Sequence, residues 1–230
     1  METFTHKVHL EKCHPHGGIF LGLLTYCYNQ LMRTILVGGV NGSLNPGDEG
    51  FDDYGKGKGY FVRKMIDDIR ACDSTKVAIV TAAKENKHHF DELMADSGID
   101  MDAATVLNTG DNPDWSDYEV IIMTGGSTQR LHDWLAETGF SLDKLDNCEL
   151  LIGESAGAYV LGAKVIAEYT PDGKELVFID GFNPKSRVLV AAHVNNPYYH
   201  RDGLTLRLEK YCTENDLKLV LLEENEVAEL

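Results

Sequence analysis

Positive charge is what this sequence has least of. Its 230 residues carry 21 Lys and Arg against 37 Asp and Glu, a formal net charge of −16. Such a surface repels the phosphates of nucleic acids and the anionic face of membranes, so neither is expected as a partner. Cysteine is sparse as well. Cys13, Cys27, Cys72, Cys148 and Cys212 are odd in number, widely scattered and form no C-x-x-C pair. That excludes a disulfide framework and suits free thiols in a reducing compartment. A membrane-length apolar run is also missing. The one stretch that could pass for a targeting segment, "IFLGLLTYCYNQLM" from Ile19 to Met32, is too short to span a bilayer and turns polar at its end. It has no small-residue cleavage site and follows a His-rich rather than a Lys/Arg-rich start, so it is not a secretory signal. A cytoplasmic protein is expected.

What remains is ordinary soluble-protein composition, 43% hydrophobic and 25% charged, in a chain long enough for one α/β domain with a substantial core. Residues 1–31 stand apart. They hold His6, His9, Cys13, His14 and His16, which are metal-ligand types, but no second half of a site with defined spacing follows. They are read as a poorly ordered leader, with Met32 as an alternative start. Residues 32–230 are read as a single domain.

From Met32 onward strands and helices alternate as in βαβ units. "RTILVGG", "KVAIVTA", "AATVLN", "YEVIIMTGG", "CELLIG", "RVLVAAH" and "LKLVLLEEN" read as strands. "YFVRKMIDDIRAC", "HHFDELMADSG", "STQRLHDWLAETG" and "LTLRLEKYCTEN" read as helices by their apolar spacing. "AKVIAEYT" and "KELVFIDGF" flank Pro171-Asp172-Gly173, a turn signal that predicts a hairpin. Short, continuously apolar strands predict a three-layer α/β fold, its mostly parallel sheet covered by helices on both faces.

In such a sheet, chemistry gathers at the carboxyl ends of the strands. Gly153-Glu154-Ser155-Ala156-Gly157 fits G-x-S-x-G, in which a serine sits on a tight strand-to-helix turn. The plainer reading of Ser155 is a helix N-cap. Three other strands end on Gly125-Gly126-Ser127-Thr128, on His193 and on Glu224. A hydroxyl, an imidazole and a carboxylate are what a serine nucleophile needs, because the hydroxyl reacts only when a base removes its proton and an acid orients that base. The amides of Ala156 and Gly126 are the expected oxyanion donors. Taken singly each signal is modest: a histidine such as His193 is more often a hydrogen-bonded residue at a strand end than a catalyst. Glu224 sits among Glu223, Glu226 and Glu229, a run that usually marks a solvated face.

At these residues the sequence resembles the dipeptidase E and cyanophycinase family of serine peptidases, whose core is similar to class I glutamine amidotransferase domains. "GGSTQRLHDWL" resembles the family's glycine turn and helix. Gly153 to Ala158 matches its elbow G-x-S-A-G-A, and "AAHVNNPYYH" resembles its histidine segment. "DLKLVLLEEN" resembles the segment that bears its acid. The resemblance runs from about Met32 to the C-terminus and keeps the order Ser155, His193, Glu224. It implies a flavodoxin-like fold and hydrolysis of small peptides, with N-terminal aspartyl dipeptides the best-known substrate class. It implies no metal or organic cofactor, and short-chain relatives would suggest a homodimer. Arg201, and secondarily Arg130, are then candidates to meet an aspartate carboxylate. The sequence departs from the aspartyl dipeptidases at Ala192, where they show proline, and at Glu154, where they show a bulky aromatic. It ends six residues after Glu224, where relatives continue with further sheet, so a truncated C-terminus is expected.

Three rival readings are open. An α/β-hydrolase esterase would pair Asp172 or Asp180 with His193 or His200. A non-catalytic flavodoxin-like module would cradle phosphate in "VGGVNGSLNPGDEG", although Asp48, Glu49, Asp52 and Asp53 oppose an anion there. A glutamine amidotransferase would need cysteine at the elbow, and Cys148 lies at the far end of that strand, where it reads as a buried hydrophobe.

Overall fold

The computed structural model divides the chain into two units, Met1–Gln30 and Leu31–Leu230. The structure describes residues 32–39, 76–84, 104–169, 176–197, 199, 203–224 and 226–230, all in the second unit. The leader, the Gly-rich loop at 41–59 and the helices expected at 60–72 and 88–98 lie outside these residues.

Among the described residues the strands form two sheets, where the sequence predicted one. The first has the order β10-β1-β5-β4-β2-β3. Here β1 is Arg33–Val37, β2 Val77–Val80, β3 Ala104–Leu107, β4 Val120–Met123, β5 Leu150–Glu154 and β10 Val227–Glu229. All its pairs are parallel except β1 with β10. The second sheet runs β7-β6-β8-β9, with β6 Lys164–Tyr169, β7 Leu176–Asp180, β8 Val188–Ala191 and β9 Lys218–Leu221. Strands β6 and β7 are antiparallel, as the hairpin signal predicts, while β8 pairs parallel with β6 and β9. The turn residues 170–175 are not among those described.

The division goes with how the edges of β1 are filled. One edge of β1 is bonded to β5 along its whole length, and the other is occupied by β10, with Ile35 opposite Glu229 and Val37 opposite Val227. Neither edge of β1 is left for β8, which pairs with β6 and β9 instead. The three-residue β10 is too short to carry a period, and nothing in the sequence marked it as a strand.

The central strands are apolar throughout because successive side chains point to opposite faces and both faces are buried. Leu36, Val80, Ile121 and Leu151 join one core, and Ile35, Ile79, Ile122 and Ile152 the other. Against the first face pack helix α1, Thr128–Glu137, and helix α2, Ala156–Val160. Helix α1 begins where Ser127 accepts a hydrogen bond from the Arg130 amide at 3.3 Å, and it buries Leu131, Trp134 and Leu135 at helical spacing. Helix α3, Leu204–Glu214, lays Leu204, Leu208 and Cys212 against Leu189 and Ala191 of β8. Val188 and Val190 point the other way and join the core of α1 and α2, which ties β8 to the first sheet through packing. Among the described residues no helix is long and apolar enough to cross a membrane.

Candidate active site

The carboxyl ends of β1, β5 and β4, neighbours in the first sheet, carry Gly38-Gly39, Ser155 and Gly125. The elbow works through close approach. A β-carbon on Gly153 would lie 2.5 Å from the Gly157 carbonyl, and one on Gly157 would lie 2.4 Å from the Met123 carbonyl oxygen. Only glycine lets β5, α2 and β4 stack so tightly. The bend itself falls on Ser155, with φ 51° and ψ −104°. That backbone is strained for a residue with a side chain, at a cost of about 1–3 kcal/mol. It is held by a hydrogen bond from the Ser155 amide to the Val37 carbonyl, 2.9 Å.

Ser155 is the residue before α2, yet its side chain makes no capping bond. The hydroxyl instead meets His193 Nε2 at 2.8 Å. His193 follows β8 in a left-handed conformation, φ 57°, with its amide bonded to the Gly38 carbonyl at 3.1 Å. Its Nδ1 lies 2.9 Å from Glu224 Oε1, and the two side chains are 7% and 8% exposed. Because a carboxylate can only accept, Nδ1 carries the proton and Nε2 is left as an acceptor for the serine hydroxyl. The three strand ends therefore form one line of hydrogen bonds. The run of glutamates had suggested a solvated face, but Glu224 turns inward.

Four residues of this constellation were missed in the sequence. Asn196 Nδ2 donates to the same Glu224 oxygen at 2.8 Å, and the Glu224 amide donates to Asn195 Oδ1 at 2.9 Å. Both asparagines lay in view beside His193, but nothing in their spacing says which amide or carboxylate they reach. Tyr199 stacks on the imidazole with ring centroids 4.4 Å apart. Gly39, φ +96°, also packs against the ring, where a β-carbon would fall 2.4 Å from Nε2. The Gly38-Gly39 pair was visible, but it had been read as the start of a loop, since nothing local reveals that an imidazole comes to rest on it.

The glycine turn after β4 also touches the elbow. A β-carbon on Gly125 would lie 3.0 Å from Ser155 Cβ, and its amide donates to Glu154 Oε2 at 2.9 Å. Gly126 is exposed with φ +145°, and a side chain there would strike the Ala83 carbonyl oxygen at 2.5 Å. Ala156 opens α2 directly after the serine.

Other candidates are not brought here. Arg130 lines a separate cavity of about 400 Å³ with Thr109, Gly110, Ser127, Asp133 and Glu137. Asp180 is 87% exposed and ion-paired with Lys164, so it does not serve His193. Cys148 is buried at the opposite end of β5. Arg201, Asp172 and His200 lie outside the described residues, as does the Gly-rich loop. Among the described residues no three His, Cys, Asp or Glu side chains are grouped to hold a metal.

By sequence, neither a family model nor a curated protein matches the chain. Its fold does have relatives among solved structures. A candidate peptidase E protein of Listeria monocytogenes EGD-e shares 16% identity, with a TM-score of 0.51 over 86% of this chain and 94% of its own. A peptidase from an acI-B1 actinobacterium shares 19%, with a TM-score of 0.53 over 86% of this chain and 83% of its own. The chain thus has the α/β fold of these proteins, which is the class I glutamine amidotransferase-like architecture that the sequence resemblance implied.

Proposed function

We propose that this chain is a cytoplasmic serine peptidase of the dipeptidase E type that hydrolyses small peptides, aspartyl dipeptides foremost, through a covalent acyl-enzyme. The observation that carries the reading is the line of hydrogen bonds from Ser155 through His193 to Glu224. The similarity in fold to two proteins named as peptidases supports it.

In this mechanism Ser155 Oγ attacks the scissile carbonyl carbon while its proton passes to His193 Nε2. Glu224 stabilises the imidazolium by accepting from Nδ1. The amides of Gly126 and Ala156 donate to the oxyanion; the Gly125 amide is already engaged by Glu154. When the C–N bond breaks, the proton on Nε2 goes to the departing amine. Water then attacks the acyl-serine, gives its proton to Nε2, and the serine oxygen recovers that proton as the acid leaves.

A fluorophosphonate probe with mass spectrometry tests this directly. Ser155 should carry the phosphonyl group, and Ser155→Ala should leave the protein unlabelled. A Ser155 that stays unmodified in folded protein would rule the reading out.

A further inference from the structure

The elbow residue Glu154 has a carboxylate where the serine chemistry has no evident use for one. It immediately precedes Ser155, and it is only partly buried. Its Oε2 accepts from the Gly125 amide at 2.9 Å. The position of an added Gly125 β-carbon lies 3.0 Å from Ser155 Cβ and 3.2 Å from Glu154 Oε1, so the nucleophile and the carboxylate pack against the same glycine. No other hydrogen bond to this carboxylate is found among the described residues.

Such an anion is an obstacle unless something neutralises it. The tetrahedral intermediate places negative charge beside the same glycine turn, and two like charges at this range oppose each other. A substrate that brings its own cation removes the conflict. In a peptide cleaved after its first residue, the free α-ammonium is bonded to the carbon next to the scissile carbonyl. No other cation of a peptide is held so close to the reacting atom.

We propose that Glu154 is the anchor for the substrate's α-ammonium, so that the site accepts peptides with a free amino terminus and cleaves after their first residue. This rests on the proposed serine chemistry. The carboxylate then both selects the substrate and is silenced by it, and an N-blocked peptide would leave two unbalanced anions at the turn.

The test uses the full chain and two libraries of dipeptides of identical sequence, one with free and one with N-acetylated amino termini. Wild-type protein should hydrolyse the free set at least a hundredfold better. Glu154→Gln, whose amide oxygen still accepts from Gly125, should raise KM for free-amine substrates about tenfold or more and narrow the preference, with fluorophosphonate labelling of Ser155 retained. A merely structural Glu154 would leave that ratio unchanged. Equal hydrolysis of both sets overturns the assignment. So does hydrolysis of acetylated peptides only where lysine comes first, which would move the cation to a side chain. A labelled Ser155 with no release from either library overturns it too, whereas an unlabelled Ser155 strikes the proposed function itself.

Discussion

Gly39 lies so close to His193 that a β-carbon there would fall 2.3 Å from Cε1 and 2.4 Å from Nε2, the nitrogen that faces the serine hydroxyl. The glycine therefore fixes where the base sits. Gly39→Ala should push the ring off Ser155, and a shift of about 1 Å at the reacting atoms can cost roughly a hundredfold in rate. We expect fluorophosphonate labelling to slow by about that factor while circular dichroism stays native.

Asn196 shares the Glu224 oxygen with His193. A hydrogen bond to a charged group is worth about 1.5–3 kcal/mol. Asn196→Ala should accordingly lower kcat/KM by roughly ten- to a hundredfold while KM stays nearly constant, as expected if the asparagine acts through the acid. An unaltered kcat would show that Asn196 contributes nothing to the acid's position.

The acid's identity separates two kinds of hydrolase. Glu224→Gln should remove most activity, and Asp180→Asn should remove almost none, since Asp180 is paired with Lys164 on the exposed side of β7. Steady-state kinetics on both variants decides it, and the reverse result would restore the esterase order.

Gly157→Ala tests packing rather than chemistry. The added methyl meets the Met123 carbonyl oxygen at 2.4 Å between two stacked elements, so overpacking of about 1–3 kcal/mol is expected. Urea unfolding should show a lowered midpoint with the slope unchanged.

Cys148 and Cys212 are both buried, and burial pushes the Cys212 thiol up from its ordinary range. Cys212 should be too little ionised, and both thiols too closed in, to react. Site-mapped alkylation should leave both unmodified in native protein and label them fully in denaturant.

Much of this site was legible because Ser155, His193 and Glu224 each follow a strand, although the strands belong to two sheets, β5 to the first and β8 and β9 to the second. Ser155, His193 and Glu224 could be named from apolar runs and the residues that follow them. What was not legible depends on contacts between distant segments. The split into two sheets goes with β10 taking the edge of β1, a pairing of residues nearly the whole domain apart in sequence. The inward turn of Glu224 follows from two asparagines whose partners no spacing rule reveals. The strain on Ser155 was not legible either, because a motif shows which residues are small and not which one takes a positive φ.

Just past the acid, the chain returns from the second sheet to the first, where the Gly38 amide bonds to the Glu226 carbonyl at 3.0 Å and Val227–Glu229 close on β1. The carboxylate is thus slung between two anchorages, and one of them is a strip of backbone at a rim. Trimming that strip, or hanging a bulky fusion from it, would slacken the sling and break the line from Ser155 to Glu224 with all three residues still present.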